Sequence, residues 1–304
     1  MSQRICHCPV ACRPSRPEGR HECRFPSHCG CRRRHGELPA GARLIALAPR
    51  LGFVDLPTSR GMHASPVARV GGIAVGPATL AGLVAGGAVP YRPDVLAIVA
   101  GATLIWATGI ADDRWRLPAR WRLAAQTLAV LVILPALPVA LPGPAWPWWA
   151  LALPGWLWCI NLHNFMDGID GIAGVQALTV FAGMAVVLAV QDGSVALPLL
   201  VAASAFAGFL VLNWSPARLF LGDGGSTLLG YLVGLGTTAA VLAAEAAAVA
   251  WFILSAVFFV DATVTLLTRI ATGQSWHAPH RLHGYQSRAG SGAATPGLVP
   301  RWPR

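Results

Sequence analysis

Lysine is absent from this 304-residue chain; all 23 basic residues are arginine. GC-rich coding DNA accounts for that choice better than function does. Charge of either sign is scarce, at 12% of residues, against roughly 25% in soluble domains. The chain is also 55% hydrophobic with a mean hydropathy of +0.55. Together these values exclude a soluble domain built round one core and indicate a polytopic membrane protein. The formal charge of +10 raises the question of a nucleic-acid partner, and the arginine positions answer it. Eight lie before residue 35, and most of the others flank apolar runs. That placement suits membrane lipids with anionic headgroups, not nucleic acid. Cysteine is nearly absent from the body of the chain. Six of the seven fall within the first 31 residues, at spacings that fit no standard zinc finger, and only Cys159 lies further on. The N-terminal stretch also lacks the apolar run of 7–15 residues that a secretory signal needs. Residues 1–49 are therefore expected to be a disordered or mispredicted Arg/Cys/Pro-rich tail. Residues 287–304, rich in Pro and Gly, are expected to be a frameshifted tail. The span 50–286 is left as the membrane domain.

Within that domain, residues 41–72 read as a loop with a short apolar start, because Pro57 and Pro66 argue against one continuous helix. Apolar runs follow at roughly 73–90, 94–111, 123–141, 147–163, 171–190, 195–213, 226–244 and 247–268. Each is near the ~20 residues that cross a bilayer as a helix. The expected fold is an all-α polytopic transmembrane helix bundle of about eight spans. The fourth run is short, rich in Trp and interrupted by Pro154-Gly155. With the spans alternating sides, eleven arginines from Arg50 to Arg288 fall on one side and only Arg92 on the other. The positive-inside rule makes the first side cytoplasmic. Asp55, Asp112, Asp113, Asp167, Asp170, Asp223 and Asp261 sort to that side as well. Seven carboxylates at one face of an apolar bundle are not needed for solubility, and they predict one polar site at the cytoplasmic membrane face.

Several stretches supply that site. In Asn161–Gly174, Asn164, Asp167 and Asp170 are spaced i, i+3, i+6, which on a helix gives one shared face. They could orient a metal–phosphate group or glue neighbouring spans. Asp112-Asp113 closes the second span. Adjacent carboxylates cannot both point the same way on a helix, and if they share a site a cation must offset their repulsion; Mg²⁺ is the usual one. A capping pair at a span end is the alternative. Phe220–Ser226 is a glycine-rich turn in which Asp223 exposes a carboxylate beside backbone N–H groups, with Ser226 able to cap the next helix. It lacks the Lys-Ser/Thr end of a nucleotide P-loop. Arg60, His63 and Arg69 either face a phosphate or form a basic juxtamembrane loop. His277, His280, Arg281 and His283 suit a diphosphate clamp better than a zinc site, because Pro279 disfavours one helix through them. Asp261 in the last run needs a partner, and Arg269 is one choice.

Taken in order, Val54-Asp-Leu-Pro with Arg60, His63, Arg69 and Gly71-Gly72, then Gly109–Asp113, Leu117–Gln126, Asn161–Gly174, Phe220–Gly230, Asp261 and His280–Gln286 resemble the polyprenyl-phosphate N-acetylhexosamine-1-phosphate transferases. This is the membrane glycosyltransferase 4 family of WecA- and MraY-type enzymes. The His280–Gln286 loop is more similar to the O-antigen-initiating branch, which serves lipopolysaccharide and cell-wall synthesis. The resemblance implies an enzyme that moves a sugar 1-phosphate from a UDP-N-acetyl sugar, such as UDP-GlcNAc, to undecaprenyl phosphate, with release of UMP. It implies Mg²⁺, or Mn²⁺ in its place, held by Asp223 with Asp112. It implies catalytic roles for Asp112, Asp113, Asp167 and Asp170. It assigns substrate contacts to Arg60, His63, Asn164, His280, Arg281 and His283. The implied location is the bacterial inner membrane, multi-pass, with the active site facing the cytoplasm and a homodimer allowed. Direct attack by the lipid phosphate and a covalent aspartyl intermediate both remain open. The rival readings are a secondary transporter, which also uses broken spans and intramembrane acids, and an inactive truncated family member.

Overall fold

In a computed structural model of the chain, residues 11–14, 21–24, 40–55, 66–86, 93–190 and 196–274 are described. Strands β1 (Ala11–Pro14) and β2 (His21–Arg24) pair antiparallel, with Cys12 opposite Cys23, in a unit of their own over residues 1–43. The second unit, from Leu44 on, holds the helix bundle.

Helix α1 (Ala40–Leu51) occupies the start of the stretch read as a loop. Leu44, Ile45 and Ala48 share one face of it and pack on the bundle core, so tertiary burial makes a helix of the apolar start, and that helix ends before Pro57 and Pro66. The short strands β3 (Val54–Asp55) and β4 (Val67–Ala68) pair antiparallel after it.

All eight apolar runs fold as helices: α2 (Gly71–Gly86), α3 (Pro93–Trp115), α4 (Ala119–Ile133), α5 (Ala145–Met166), α6 (Ile172–Ala189), α7 (Ala196–Asn213), α8 (Gly222–Leu242) and α9 (Ala247–Ala271). Five of them, α3, α6, α7, α8 and α9, are long and apolar enough to cross a membrane. With 16 and 15 residues, α2 and α4 fall short of that length. The run expected to reach 141 stops early because Pro135 and Pro138 cannot continue an α-helix. Conversely, α5 runs unbroken through Pro154-Gly155 for 22 residues. Where water cannot satisfy a freed carbonyl, keeping the helix and adjusting locally is cheaper than breaking it.

Helix α8 forms the axis of the bundle. Within its most apolar 18 residues 72% are buried, against 22–44% in the other four long apolar helices, and it packs on α2, α3, α5 and α9. Its sequence allows this. Gly230 and Gly234, four residues apart, form a flat strip against α5, where a side chain would collide with the Ile160 backbone and the Trp156 ring. Trp156, itself buried, donates its indole N–H to the Tyr231 carbonyl at 2.9 Å and so ties α5 to α8. Val186, Val211, Ile253, Val257 and Val260 point outward and are largely exposed, as lipid-facing residues must be. The fold is an all-α polytopic membrane bundle.

Candidate active site

The N-terminus of α8 is where the polar residues meet. Gly222 precedes Asp223 at φ +75, and a Cβ there would sit 2.6 Å from the Asp113 carboxylate. Glycine is required on both counts. With Cβ absent, Asp113 on α3 reaches under the turn and accepts the backbone N–H of Asp223 at 2.8 Å and of Gly224 at 3.0 Å. Those are two of the N–H groups that a helix start leaves unpaired. Ser226, expected as the cap, instead lies inside α8 and accepts a hydrogen bond from Asn164 at 3.0 Å. The loop entering α2 locks onto the same turn. Phe220 N–H donates to the Ala68 carbonyl, Gly71 N–H to the Phe220 carbonyl and Gly72 N–H to the Leu221 carbonyl, at 2.7–2.9 Å. This seam carries Arg69 to the carboxylates. Its Nε lies 2.9 Å from Asp113, and its Nη2 donates to Asp223.

Asp112 points the other way, as neighbours on a helix must. It accepts the Leu117 N–H at 2.6 Å and the Arg122 guanidinium at 3.0 Å. The same Arg122 nitrogen lies 3.8 Å from Asp223. Asp112 and Asp223 therefore converge on one cationic nitrogen from two helices. They line a pocket together with Gln126, Asn161 and Asn164. Gln126 and Asn161 are themselves hydrogen-bonded at 2.8 Å.

The Asn164, Asp167, Asp170 set does not share a helical face. Helix α5 ends at Met166, Asp167 is its C-terminal flank, and Gly171 at φ +80 turns the chain into α6. Asp170 is spent on structure, accepting the Ala217 N–H at 2.9 Å in the loop after α7. Asn213 closes the same corner by accepting the Gly171 N–H and donating to the Leu219 carbonyl. Asp167 is half-buried, and burial pushes its carboxyl up to about 7, with Arg69 opposing and Asp223 and Asp113 adding to the rise. Burial alone would lower the Arg69 pKa, but Asp223, Asp113, Asp55 and Asp167 outweigh it and raise it above the usual arginine value. Asp261 lies on α9 and is not among the residues lining the pocket. Arg60, His63, His280, Arg281 and His283 lie outside the described residues.

The structure thus brings together Asp112, Asn164 and Asp223, places Asp113 and Asp167 beside them, and sets Asp170 apart in a corner. It adds Arg122, Gln126 and Asn161 to the pocket. Arg122 follows Asp112 by ten residues round the α3–α4 corner, a separation that no helical or strand period connects.

Among the described residues no three His, Cys, Asp or Glu side chains gather closely enough to hold a metal ion alone. Mg²⁺ does not need such a cage: it is typically held by one or two carboxylates plus substrate phosphates. Asp112 and Asp223 fit that requirement, since hard oxygen ligands from two helices already face a single cationic atom.

Comparison with known proteins identifies relatives by sequence. Residues 95–244 match the family described as glycosyl transferase family 4. A Streptomyces coelicolor protein named as a glycosyltransferase is 36% identical over 258 residues, covering 79% of this chain and 59% of that protein. A Bacillus subtilis protein named as an undecaprenyl-phosphate N-acetylglucosaminyl 1-phosphate transferase is 31% identical, over 78% of this chain and 70% of its own length. A Mycolicibacterium smegmatis decaprenyl-phosphate N-acetylglucosaminephosphotransferase is 30% identical, over 78% and 68%. The chain thus spans from 59% to 70% of the length of these relatives. By its sequence matches and its carboxylate-lined bundle, this chain belongs to glycosyl transferase family 4.

Proposed function

We propose that the protein transfers N-acetylglucosamine 1-phosphate from UDP-GlcNAc to a polyprenyl phosphate, starting a lipid-linked glycan. The observation that carries this is the convergence of Asp112 and Asp223 on one Arg122 nitrogen at the pocket. A phosphate oxygen of the lipid attacks the sugar-bearing β-phosphorus of the nucleotide sugar. A new P–O–P bond forms, the bond to the α-phosphate breaks, and UMP leaves with the electron pair. Little covalent work falls to the protein in such a transfer; positioning and charge neutralisation supply most of the catalysis. Mg²⁺, held by Asp112 and Asp223, would neutralise charge on the diphosphate. Arg122 supplies a second positive charge, and Asn161, Asn164 and Gln126 offer amide donors and acceptors to the sugar or nucleotide. Direct attack is the favoured route. Asp113, with its side chain 1% exposed and both oxygens bonded to the start of α8, is closed off as a nucleophile, and Asp112 is assigned to the cation.

The site end of the bundle would face the cytoplasm, where nucleotide sugars are made, with Arg60, His63, His280, Arg281 and His283 completing the diphosphate contacts. The relatives' names support the N-acetylglucosamine donor and a C50–C55 lipid acceptor. Detergent-purified protein, Mg²⁺, undecaprenyl phosphate and a panel of UDP-N-acetyl sugars provide the test. Lipid-dependent UMP release is expected, with UDP-GlcNAc preferred, and Asp223→Asn should lower it at least about 100-fold. UMP release that ignores the lipid, or survives in Asp223→Asn, sinks the proposal.

A further inference from the structure

By sequence Arg69 belongs with Arg60 and His63, basic residues that suit a phosphate. The structure turns it inward, onto two carboxylates. We propose that Arg69 and Asp113 form a positioning clamp that holds the head of α8, and with it the Asp223 carboxylate, where it can take a divalent cation. The proposal rests on the transferase reading only in treating Asp223 as a metal ligand.

Three observations carry it. First, the Asp113 side chain is 1% exposed and both its oxygens are occupied. Oδ1 accepts the Asp223 N–H and faces Arg69 Nε, and Oδ2 accepts the Gly224 N–H. A carboxylate so engaged, and so shielded, has no oxygen left for a substrate. Second, Arg69 uses its fork within the protein: Nε goes to Asp113 and Nη2 to Asp223. A guanidinium matches two acceptors at a fixed angle, which an ammonium cannot do. Third, the backbone is shaped for the pair. Gly222 leaves room for the Asp113 carboxylate, and the hydrogen-bonded seam from Ala68 to Leu221 fixes the Arg69 backbone against the same turn. Asp223 is the member that keeps access to the pocket. The aspartate pair on α3 thus divides its labour. Asp112 faces the reaction, and Asp113 acts through Asp223.

Groups that orient a metal ligand typically cost 10–100-fold in metal affinity when removed. The test measures Mn²⁺ binding by electron paramagnetic resonance on purified full-length protein without substrates. It also measures kcat, KM for UDP-GlcNAc and KM for the lipid phosphate as Mg²⁺ is varied. The variants are Arg69→Gln, Asp113→Asn and the milder Arg69→Lys. For the first two, Mn²⁺ affinity should weaken about tenfold or more, with a matching rise in the Mg²⁺ requirement and both substrate KM values within about threefold. Arg69→Lys, which keeps the charge but loses the fork, should fall between them and the unaltered protein. It decides the matter if the other two do not purify as monodisperse species. A tenfold rise in either KM with Mn²⁺ affinity unchanged would put Arg69 on a substrate phosphate and overturn the clamp. So would a lowered melting temperature with metal affinity and kinetics intact, which marks a merely structural pair. Mn²⁺ binding that responds to the variants in a protein releasing no UMP would remove the transferase reading and leave the clamp standing. UMP release with no measurable Mn²⁺ site would do the reverse.

Discussion

Asp167 stands just past the last turn of α5, half-buried, with burial holding its pKa near 7. The consequence for stability has a definite sign. An unfolded aspartate titrates near 3.9, so between about pH 4 and 7 the folded protein holds a proton that the unfolded chain has released. The carboxyl costs nothing below that window, and its full cost appears above pH 7. Replacing it by Asn removes the cost. In metal-free buffer Asp167→Asn should melt higher than the unaltered protein at pH 8, by roughly 2–4 °C, with the gap closing towards pH 4. A gap that stays constant with pH would show that the folded carboxyl is not raised. The place of this polar cluster was legible in the sequence: the Asp-Asp pair, the glycine-rich turn and the Asn164–Asp170 stretch all mark it. What each member does was not. Asp112 and Asp113 are identical in type and adjacent. Only the position of α8 on one side and of Arg122 on the other decides which becomes a cap and which lines the pocket. Asp170 looked equivalent to Asp167 until the chain turned at Gly171 and handed it the Ala217 N–H.

At the level of elements, the helices were legible because apolar runs of membrane length leave the backbone one way to satisfy itself. Their ends were less so, since Pro135 stops one helix while Pro154 is absorbed by another. The close contacts were not legible, because a glycine in an apolar run looks the same whether it faces lipid or a neighbouring helix. The structure separates the two cases. A Cβ at Gly109 on α3 would lie 2.5 Å from the Asp223 carbonyl oxygen and 2.6 Å from the Gly224 Cα, both backbone atoms that cannot step aside. Gly109→Val should therefore force α3 and α8 apart, with loss of monodisperse protein or of at least about 90% of UMP release. At Gly155 on α5 a Cβ meets nothing within 4 Å. Gly155→Ala should leave activity unchanged and stabilise by up to about 1 kcal/mol through helix propensity. Equal damage from the two substitutions, in a melting curve and a UMP assay, would contradict this packing.

For the molecule as a whole, the ends of the helices sort into two faces. Asp113 and Gly72 meet the start of α8, as does Asn164 near the end of α5, so the α3–α4 corner and the loop after α7 share the site's side. With the native cysteines replaced by Ser, single cysteines at Arg116 and Arg218 should be labelled by a membrane-impermeant maleimide only after the cytoplasmic face is opened. A cysteine at Arg92 should react from outside in intact cells. Labelling of Arg92 and Arg116 from one side would refute both the alternating topology and the proposed cytoplasmic site.

The central place of α8 has one more consequence. A helix of 21 residues is about 31 Å long, close to the thickness of a hydrocarbon layer, and this one begins at Asp223, the proposed cation ligand. Any tilt that relieves a mismatch between that length and the surrounding lipid swings its end, and Asp223 rides on it. The lipid environment therefore acts as a gauge on the chemistry. In vesicles of graded acyl-chain length, UMP release should peak at one thickness and fall on either side, while binding of UDP-GlcNAc at the pocket stays nearly level. A flat profile would mean that the packed ends of α2, α3 and α5 hold the carboxylate against whatever the bilayer does.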